Sequence, residues 1–79
     1  MEFKIFSIYD CKTEAYVLPL FFVTKGAAIR SFTDAVSGSD PVLTAHAEDY
    51  TLFELGHWSD ANAKFVLHDA PIAIGSGIS

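Results

Sequence analysis

The chain has 79 residues, of which 51% are hydrophobic and 19% charged, and its formal net charge is −5. This length suits one small domain, and the composition is too apolar for a disordered chain and too charged for a membrane protein. Because Cys11 is the only cysteine, a disulfide-stapled secreted scaffold is excluded and a reducing compartment is expected.

The first predicted element is a β-hairpin whose strands are residues 2–9 and 15–24. The polar residues between them form the turn, and the resulting register pairs Tyr9 with Tyr16, Ile5 with Leu20, and Phe3 with Phe22. Both faces of the hairpin are apolar. Pro19 cannot donate to a ladder, so the second strand lies at an edge or bulges there. The apolar run that contains Pro19 is too short to span a membrane, and the start of the chain does not resemble a signal peptide.

A helix follows over residues 25–36, with Thr24 as its N-cap and Gly38 after its end. Its apolar side chains share one stripe at helical spacing: Ala28, Ile29, Phe32, Ala35 and Val36. The sequence Asp40-Pro41 is a cap followed by a proline at the first helical position, and it predicts a short helical turn over 41–47.

A second hairpin is predicted from strands 50–58 and 63–69, joined by a turn over 59–62. Gly56, inside the first of these strands, indicates a bulge or a close backbone approach. Ile72 and Ile74 suit a short edge strand, and the last five to eight residues are expected to be frayed.

These elements predict one α+β domain over residues 1–79, a small antiparallel sheet of two hairpins with one covering helix, in the order β-β-α-β-β. The predicted core has nine members: Phe3, Ile5, Leu20, Phe22, Ile29, Phe32, Phe53, Leu55 and Phe65. One apolar sheet face is left without a cover. A homo-oligomer or a partner interface is therefore expected.

The sequence predicts no catalytic residue, no cofactor and no metal. In the predicted register, His57 lies opposite Lys64 and His68 opposite Phe53, which places the two histidines about 13 Å apart. That separation is too large for a shared zinc ion. Glu48 and Asp49 beside His46 are interpreted as a solvated turn, since no calcium-loop spacing accompanies them.

The charges are distributed unevenly along the chain. Residues 1–39 have four bases and four acids, whereas residues 40–79 have one base and six acids. Phosphate neutralisation supplies most of the affinity for nucleic acid, so only the first half suits DNA. The predicted contact residues for nucleic acid or a partner are Lys4, Lys12, Lys25, Arg30, Tyr9 and Tyr16. Stacking of bases on the tyrosines competes with a second interpretation, which is cross-strand aromatic packing.

Four strings occur together in order: residues 4–10 (KIFSIYD), 14–22 (EAYVLPLFF), 25–34 (KGAAIRSFTD) and 48–56 (EDYTLFELG). Over about residues 3–70 the chain resembles the small nonstructural protein of gokushoviruses, single-stranded DNA bacteriophages of the microvirus group. The resemblance implies a nonstructural, DNA-binding protein. By analogy with microvirus protein C, it also implies action at the switch from double-stranded replication to single-strand synthesis for packaging. That family often has a proline after the histidine where this chain has Ala47, so the shape of that turn stays open.

Two functional classes follow, and neither is enzymatic. In the first, the chain binds single-stranded or replicative-form DNA directly and weakly. In the second, it is an adaptor that contacts the replication initiator or the assembling capsid through an apolar sheet face. The resemblance implies the cytoplasm of the infected bacterial host as the location, with no membrane contact and no place in the virion.

Overall fold

The first strand of the chain lies in the middle of the sheet. In the computed structural model, which describes residues 1–77, the strand order is β2-β1-β4-β5, with β3 also paired to β1, and every pairing is antiparallel. The bounds are β1 Glu2–Asp10, β2 Ala15–Tyr16, β3 Leu20–Phe22, α1 Lys25–Asp34, α2 Pro41–Ala45, β4 Tyr50–Ser59 and β5 Phe65–Ser76. The predicted α+β class and its β-β-α-β-β arrangement are confirmed. Among the described residues, no helix has the length and apolar character needed to cross a membrane.

The partner strand of the first hairpin is broken in two. Residues 17–19 separate β2 from β3, because Pro19 has no amide hydrogen to donate to a ladder. The pairing of Tyr9 with Tyr16 is confirmed. Beyond the break the predicted register is wrong by one residue, and the pairs are Phe6 with Leu20, Ile5 with Phe21, and Lys4 with Phe22.

Local capping chemistry sets the helices. Thr24 Oγ1 accepts a hydrogen bond from Ala27 N at 3.1 Å at the start of α1, as predicted. After α1 the chain continues in a wider helical turn, Ala35–Ser39, which contains Gly38 at φ 151°. The short helix predicted after Asp40 is confirmed as α2, and the Asp40 carboxylate accepts hydrogen bonds from two of its amides.

The main core lies between α1 and the sheet. Its buried members are Phe6, Ile8, Ala28, Phe32, Tyr50 and Leu52. Ile5 and Phe32 of the predicted core are buried, whereas Leu20, Ile29 and Phe65 are wrong, with exposed fractions of 36%, 38% and 60%. Phe65 lies on the sheet face opposite α1. Leu20 lies on the α1 side but in the short edge strand β3, and Ile29 lies on a part of α1 that does not join the core.

The second hairpin contains irregularities that shift its register. Against β1, the ladder steps from Gly56 to Glu54, so Leu55 is an extra residue in β4. Against β5, Gly56 pairs with Leu67 and Glu54 with Ile72, so four residues of β5, 68–71, lie opposite Leu55 alone in an irregularity of the strand. The bulge and close approach predicted at Gly56 are confirmed: a Cβ atom there would lie 2.7 Å from Leu67 Cα.

The last strand is longer than predicted and its pairing differs. Trp58 pairs with Phe65 and His57 with Val66, so the predicted pairing of His57 with Lys64 is wrong. β5 extends to Ser76, and the Gly77 amide donates to the Tyr50 carbonyl oxygen at 2.9 Å. The chain is thus hydrogen bonded through most of the end predicted to fray, and its last two residues lie outside the described residues.

Candidate functional site

The sheet face opposite α1 carries an aromatic group that we call the Tyr cluster, formed by Tyr9, Tyr16 and Phe53. Ring centroids are 4.8 Å apart for Tyr9 and Tyr16, and 5.7 Å for Tyr16 and Phe53. Side chains alternate along a strand, so Tyr9 lies on the side of β1 opposite Phe6 and Ile8. Tyr16 is 46% exposed. The cluster combines the cross-strand packing considered from the sequence with rings that remain accessible.

A second aromatic group on the same face is the Trp cluster, formed by Phe3, Phe21, Trp58 and Phe65. Trp58 lies at its centre, with centroid distances of 5.9 Å to Phe3, 6.2 Å to Phe21 and 6.3 Å to Phe65. The four rings line an open concavity of about 360 Å³. Phe65 is 60% and Phe21 46% exposed. This is an accessible, wholly aromatic depression.

Between the clusters the face is uncharged. The strand pairings place ten uncharged side chains beside one another: Phe3, Ile5, Ser7, Tyr9, Tyr16, Phe21, Thr51, Phe53, Trp58 and Phe65. The buried Ser7 hydroxyl donates to the Val17 carbonyl oxygen at 2.7 Å. Enrichment in aromatic residues and depletion of charge are the compositional marks of a protein–protein interface core.

The two ends of the face differ in charge. At the Tyr cluster, the β1–β2 turn meets the turn before β4, where the Cys11 amide donates to the Asp49 carbonyl oxygen at 3.0 Å. One base and four acids gather there: Lys12, Asp10, Glu14, Glu48 and Asp49. Beside the Trp cluster, Lys64 and the Met1 amino group accompany one acid, Asp60, which pairs with that amino group at 2.6 Å. Glu2 and Lys4 project from the opposite side of β1. One end is acidic and the other is close to neutral.

The predicted DNA-contact bases are exposed but dispersed. Lys4 and Lys12 lie toward opposite ends of β1, at least about 20 Å apart at the rise of a strand. Lys25 and Arg30 belong to α1, and Lys4 shares with Phe6 the side of β1 that faces α1. These three bases therefore lie on the opposite side of the sheet from the tyrosines. Of the six predicted residues, the structure brings together Tyr9 and Tyr16, with Lys12 in the adjoining turn. The four bases do not form one phosphate-binding surface.

The histidines have separate surroundings. His68 Nε2 lies 2.7 Å from Glu54 Oε2, and His57 Nε2 lies 3.9 Å from Glu2 Oε2. The ligand atoms of His46, Glu48 and Asp49 lie within 4.8 Å of one another in the turn before β4. The sequence placed these three residues in a solvated turn, and His46 and Glu48 are exposed. We assign no function to these three residues, because acidic groups are common on exposed turns without a bound ion.

Sequence reasoning missed most of the aromatic surface. The sequence predicts Phe3, Phe53 and Phe65 as core residues and does not distinguish Phe21. The available signal is that both faces of the first hairpin are apolar. Since a single helix can cover only one of them, one apolar face remains uncovered. That signal predicts an uncovered apolar face, but it does not say which face is uncovered.

Tyr50 is a buried member of the core beside the acidic end of the sheet. Burial raises the pKa of the Tyr50 hydroxyl above 10.0, and the carboxylates of Asp10, Asp49 and Asp40 raise it further. Since the folded-state pKa lies above the unfolded one, this contribution to stability is complete below pH 10 and is lost as the pH rises.

We therefore expect Tyr50→Phe to make the alkaline loss of stability less steep. The measurement is the melting temperature followed from neutral pH to beyond about pH 10. Tyr16→Phe, which changes an exposed hydroxyl, is the matched control and keeps the wild-type profile. A Tyr50→Phe profile that falls in parallel with the wild type contradicts this assignment.

Comparison with known proteins gives one positive result. A family model described as Phage ORF5 protein matches residues 3–79. No curated protein and no solved structure matches the chain. The matched region includes α1 and both aromatic clusters.

Proposed function

The chain belongs to the Phage ORF5 protein family, and from this premise we propose that it acts without catalysis in the replication or packaging of the phage genome. Its role is that of an adaptor, whose aromatic sheet face binds a protein partner. The observation that carries the proposal is the row of ten uncharged, mainly aromatic side chains on that face. Such side chains supply contact area, which is what an adaptor needs. The resemblance to the gokushovirus nonstructural protein supports the process and a location in the host cytoplasm.

The acidic end of the face indicates what kind of partner it binds. Asp10, Glu14 and Asp49 lie at the end of the sheet that carries the Tyr cluster, and complementary charge speeds association and selects partners. A partner with a basic patch therefore fits the Tyr cluster best. Proteins that bind DNA carry basic patches, so a DNA-binding replication or capsid protein has the required chemistry.

Direct DNA binding is the second candidate function, and the Tyr cluster is the observation that favours it. Accessible rings on a sheet are platforms on which single-stranded bases stack. Lys12 lies in the adjoining turn. The four acids at this end weigh against phosphate affinity, and Lys4, Lys25 and Arg30 lie elsewhere.

The test is a pull-down from infected cells, with and without nuclease, using the wild type, Tyr16→Ala and Val42→Ala. Tyr16 is 46% and Val42 61% exposed, and Val42 lies on α2, so it is the matched control. We expect the wild type and Val42→Ala to capture an identified phage replication or capsid protein in the presence of nuclease. Loss of a central tyrosine contact weakens capture by about 30-fold or more in Tyr16→Ala.

Other outcomes separate the two candidates. Capture that nuclease abolishes, together with salt-sensitive retention on single-stranded DNA, supports direct binding. In that case, replacing Lys4, Lys12, Lys25 and Arg30 together by Glu removes retention, while Lys64→Glu has little effect. A phage that lacks the gene and still makes and packages single-stranded genomes normally overturns both candidates.

A further inference from the structure

We propose that the Trp cluster is the contact surface between two copies of this chain, related by a two-fold axis. The inference rests on the same sheet face as the proposed function but concerns its opposite end. The Tyr cluster, at the acidic end, stays free for the adaptor's partner.

The accessible surface area of the chain is larger than expected for a monomer of its mass, which indicates that part of the surface is covered by another molecule. A monomeric protein of 8.6 kDa is expected to expose about 4,700 Å². This chain exposes 5087 Å² and has extents of 39 × 22 × 18 Å. The excess, roughly 400 Å² by that relation, approaches the about 500 Å² that each partner contributes to the smallest stable interfaces. Two copies in contact remove an area of this size from water.

The distribution of charge favours this end of the face for a contact between two copies. Each chain has a net charge of −5, so two copies repel at most orientations. At the Trp cluster, however, Asp60 is already paired with the Met1 amino group, and Lys64 lies in the adjoining turn. A contact at this end therefore adds little repulsion between two copies. At the Tyr cluster a two-fold contact would bring two acidic groups together.

The shape of the Trp cluster suits a reciprocal contact. Phe65 is 60% exposed at the edge of the concavity of about 360 Å³ that it lines with Phe3, Phe21 and Trp58. A two-fold interface is isologous, so the same patch serves both copies. In the proposed dimer, Phe65 of each copy enters the concavity of the other, and both rings leave water.

The experiment is analytical sedimentation of the full chain from low to high micromolar concentration, with wild type, Phe65→Asp and Val42→Asp. Val42 is 61% exposed on α2, which makes it a matched apolar-to-acid control. We expect the wild type and Val42→Asp to form dimers, and Phe65→Asp to weaken dimerisation by about 30-fold or more. Trp58, the only tryptophan, gives a second readout, because its emission shifts to longer wavelength when a dimer is diluted.

A wild type that stays monomeric at high micromolar concentration overturns the proposal, as does a Phe65→Asp variant that dimerises like Val42→Asp. Circular dichroism checks that Phe65→Asp is folded. If it is not, Phe65→Ser replaces it with the same expectation. Tyr16→Ala is expected to remain dimeric. A wild type that captures the partner but stays monomeric therefore contradicts this inference alone, and a wild type that dimerises but captures no partner contradicts only the proposed function.

Discussion

Replacing Phe32 by alanine is expected to lower the free energy of unfolding by about 3–5 kcal/mol. Phe32 is 4% exposed and packs in the core between α1 and the sheet. The substitution removes buried apolar area and leaves a cavity. The whole stability of a 79-residue domain is roughly 4–12 kcal/mol, so the loss is a large share of it. Urea denaturation followed by circular dichroism measures the effect at one fixed protein concentration, so that any association between copies enters both measurements equally.

Ile29→Ala is the matched control on the same helix. Ile29 shares the apolar stripe in the sequence but is 38% exposed, so its truncation is expected to cost less than about 1 kcal/mol. Equal losses for the two variants would mean that α1 packs on the sheet with a different stripe.

Features set by a few neighbouring residues could be predicted from the sequence. Thr24 and Asp40 each accept amide hydrogen bonds within three residues of themselves, so the starts of α1 and α2 are local events. The break at Pro19 is likewise local, because it follows from a missing amide hydrogen. The β-β-α-β-β order follows from these boundaries.

The core face could not be predicted, because the decision is not local. Phe6 and Ile8 on one side of β1 are as apolar as Phe3 and Ile5 on the other. Alternation identifies two faces but does not say which of them a helix covers. The irregularity that sets residues 68–71 of β5 opposite Leu55 also escaped prediction. It is a shift of register between β4 and β5, which the periodicity of either strand does not reveal.

The distribution of charge along the chain differs from its distribution in the folded structure. Along the chain, residues 1–39 are neutral and residues 40–79 hold the net charge of −5. In the structure, Asp10 and Glu14 from the neutral half lie beside Asp49 from the acidic half. The four bases of the first half are separated between the two ends of β1 and α1. Sequence arithmetic therefore counted the charges correctly. It could not show that Lys12 lies beside the acids at one end of the sheet, whereas Lys4, Lys25 and Arg30 lie on its α1 side.

Gly56→Ala is expected to lower the free energy of unfolding by about 3 kcal/mol or more. An added Cβ atom would clash with the Val66 carbonyl oxygen and lie 2.7 Å from Leu67 Cα, and φ at Gly56 is 157°. Both neighbours are backbone atoms of β5, so relief requires the strand itself to move. Because Gly56 also pairs with Ile5 of β1, the strain acts at the centre of the sheet.

Gly75→Ala separates this clash from the general effect of losing a glycine. Gly75 lies in β5, opposite Leu52, and a Cβ atom there meets nothing within 4 Å. Its substitution should change stability by no more than about 0.5 kcal/mol in either direction. Urea denaturation of both variants, at the same protein concentration, makes the comparison. If Gly56→Ala is as mild as Gly75→Ala, then β5 does not pass over Gly56 at this distance, and the register of the second hairpin must be redrawn.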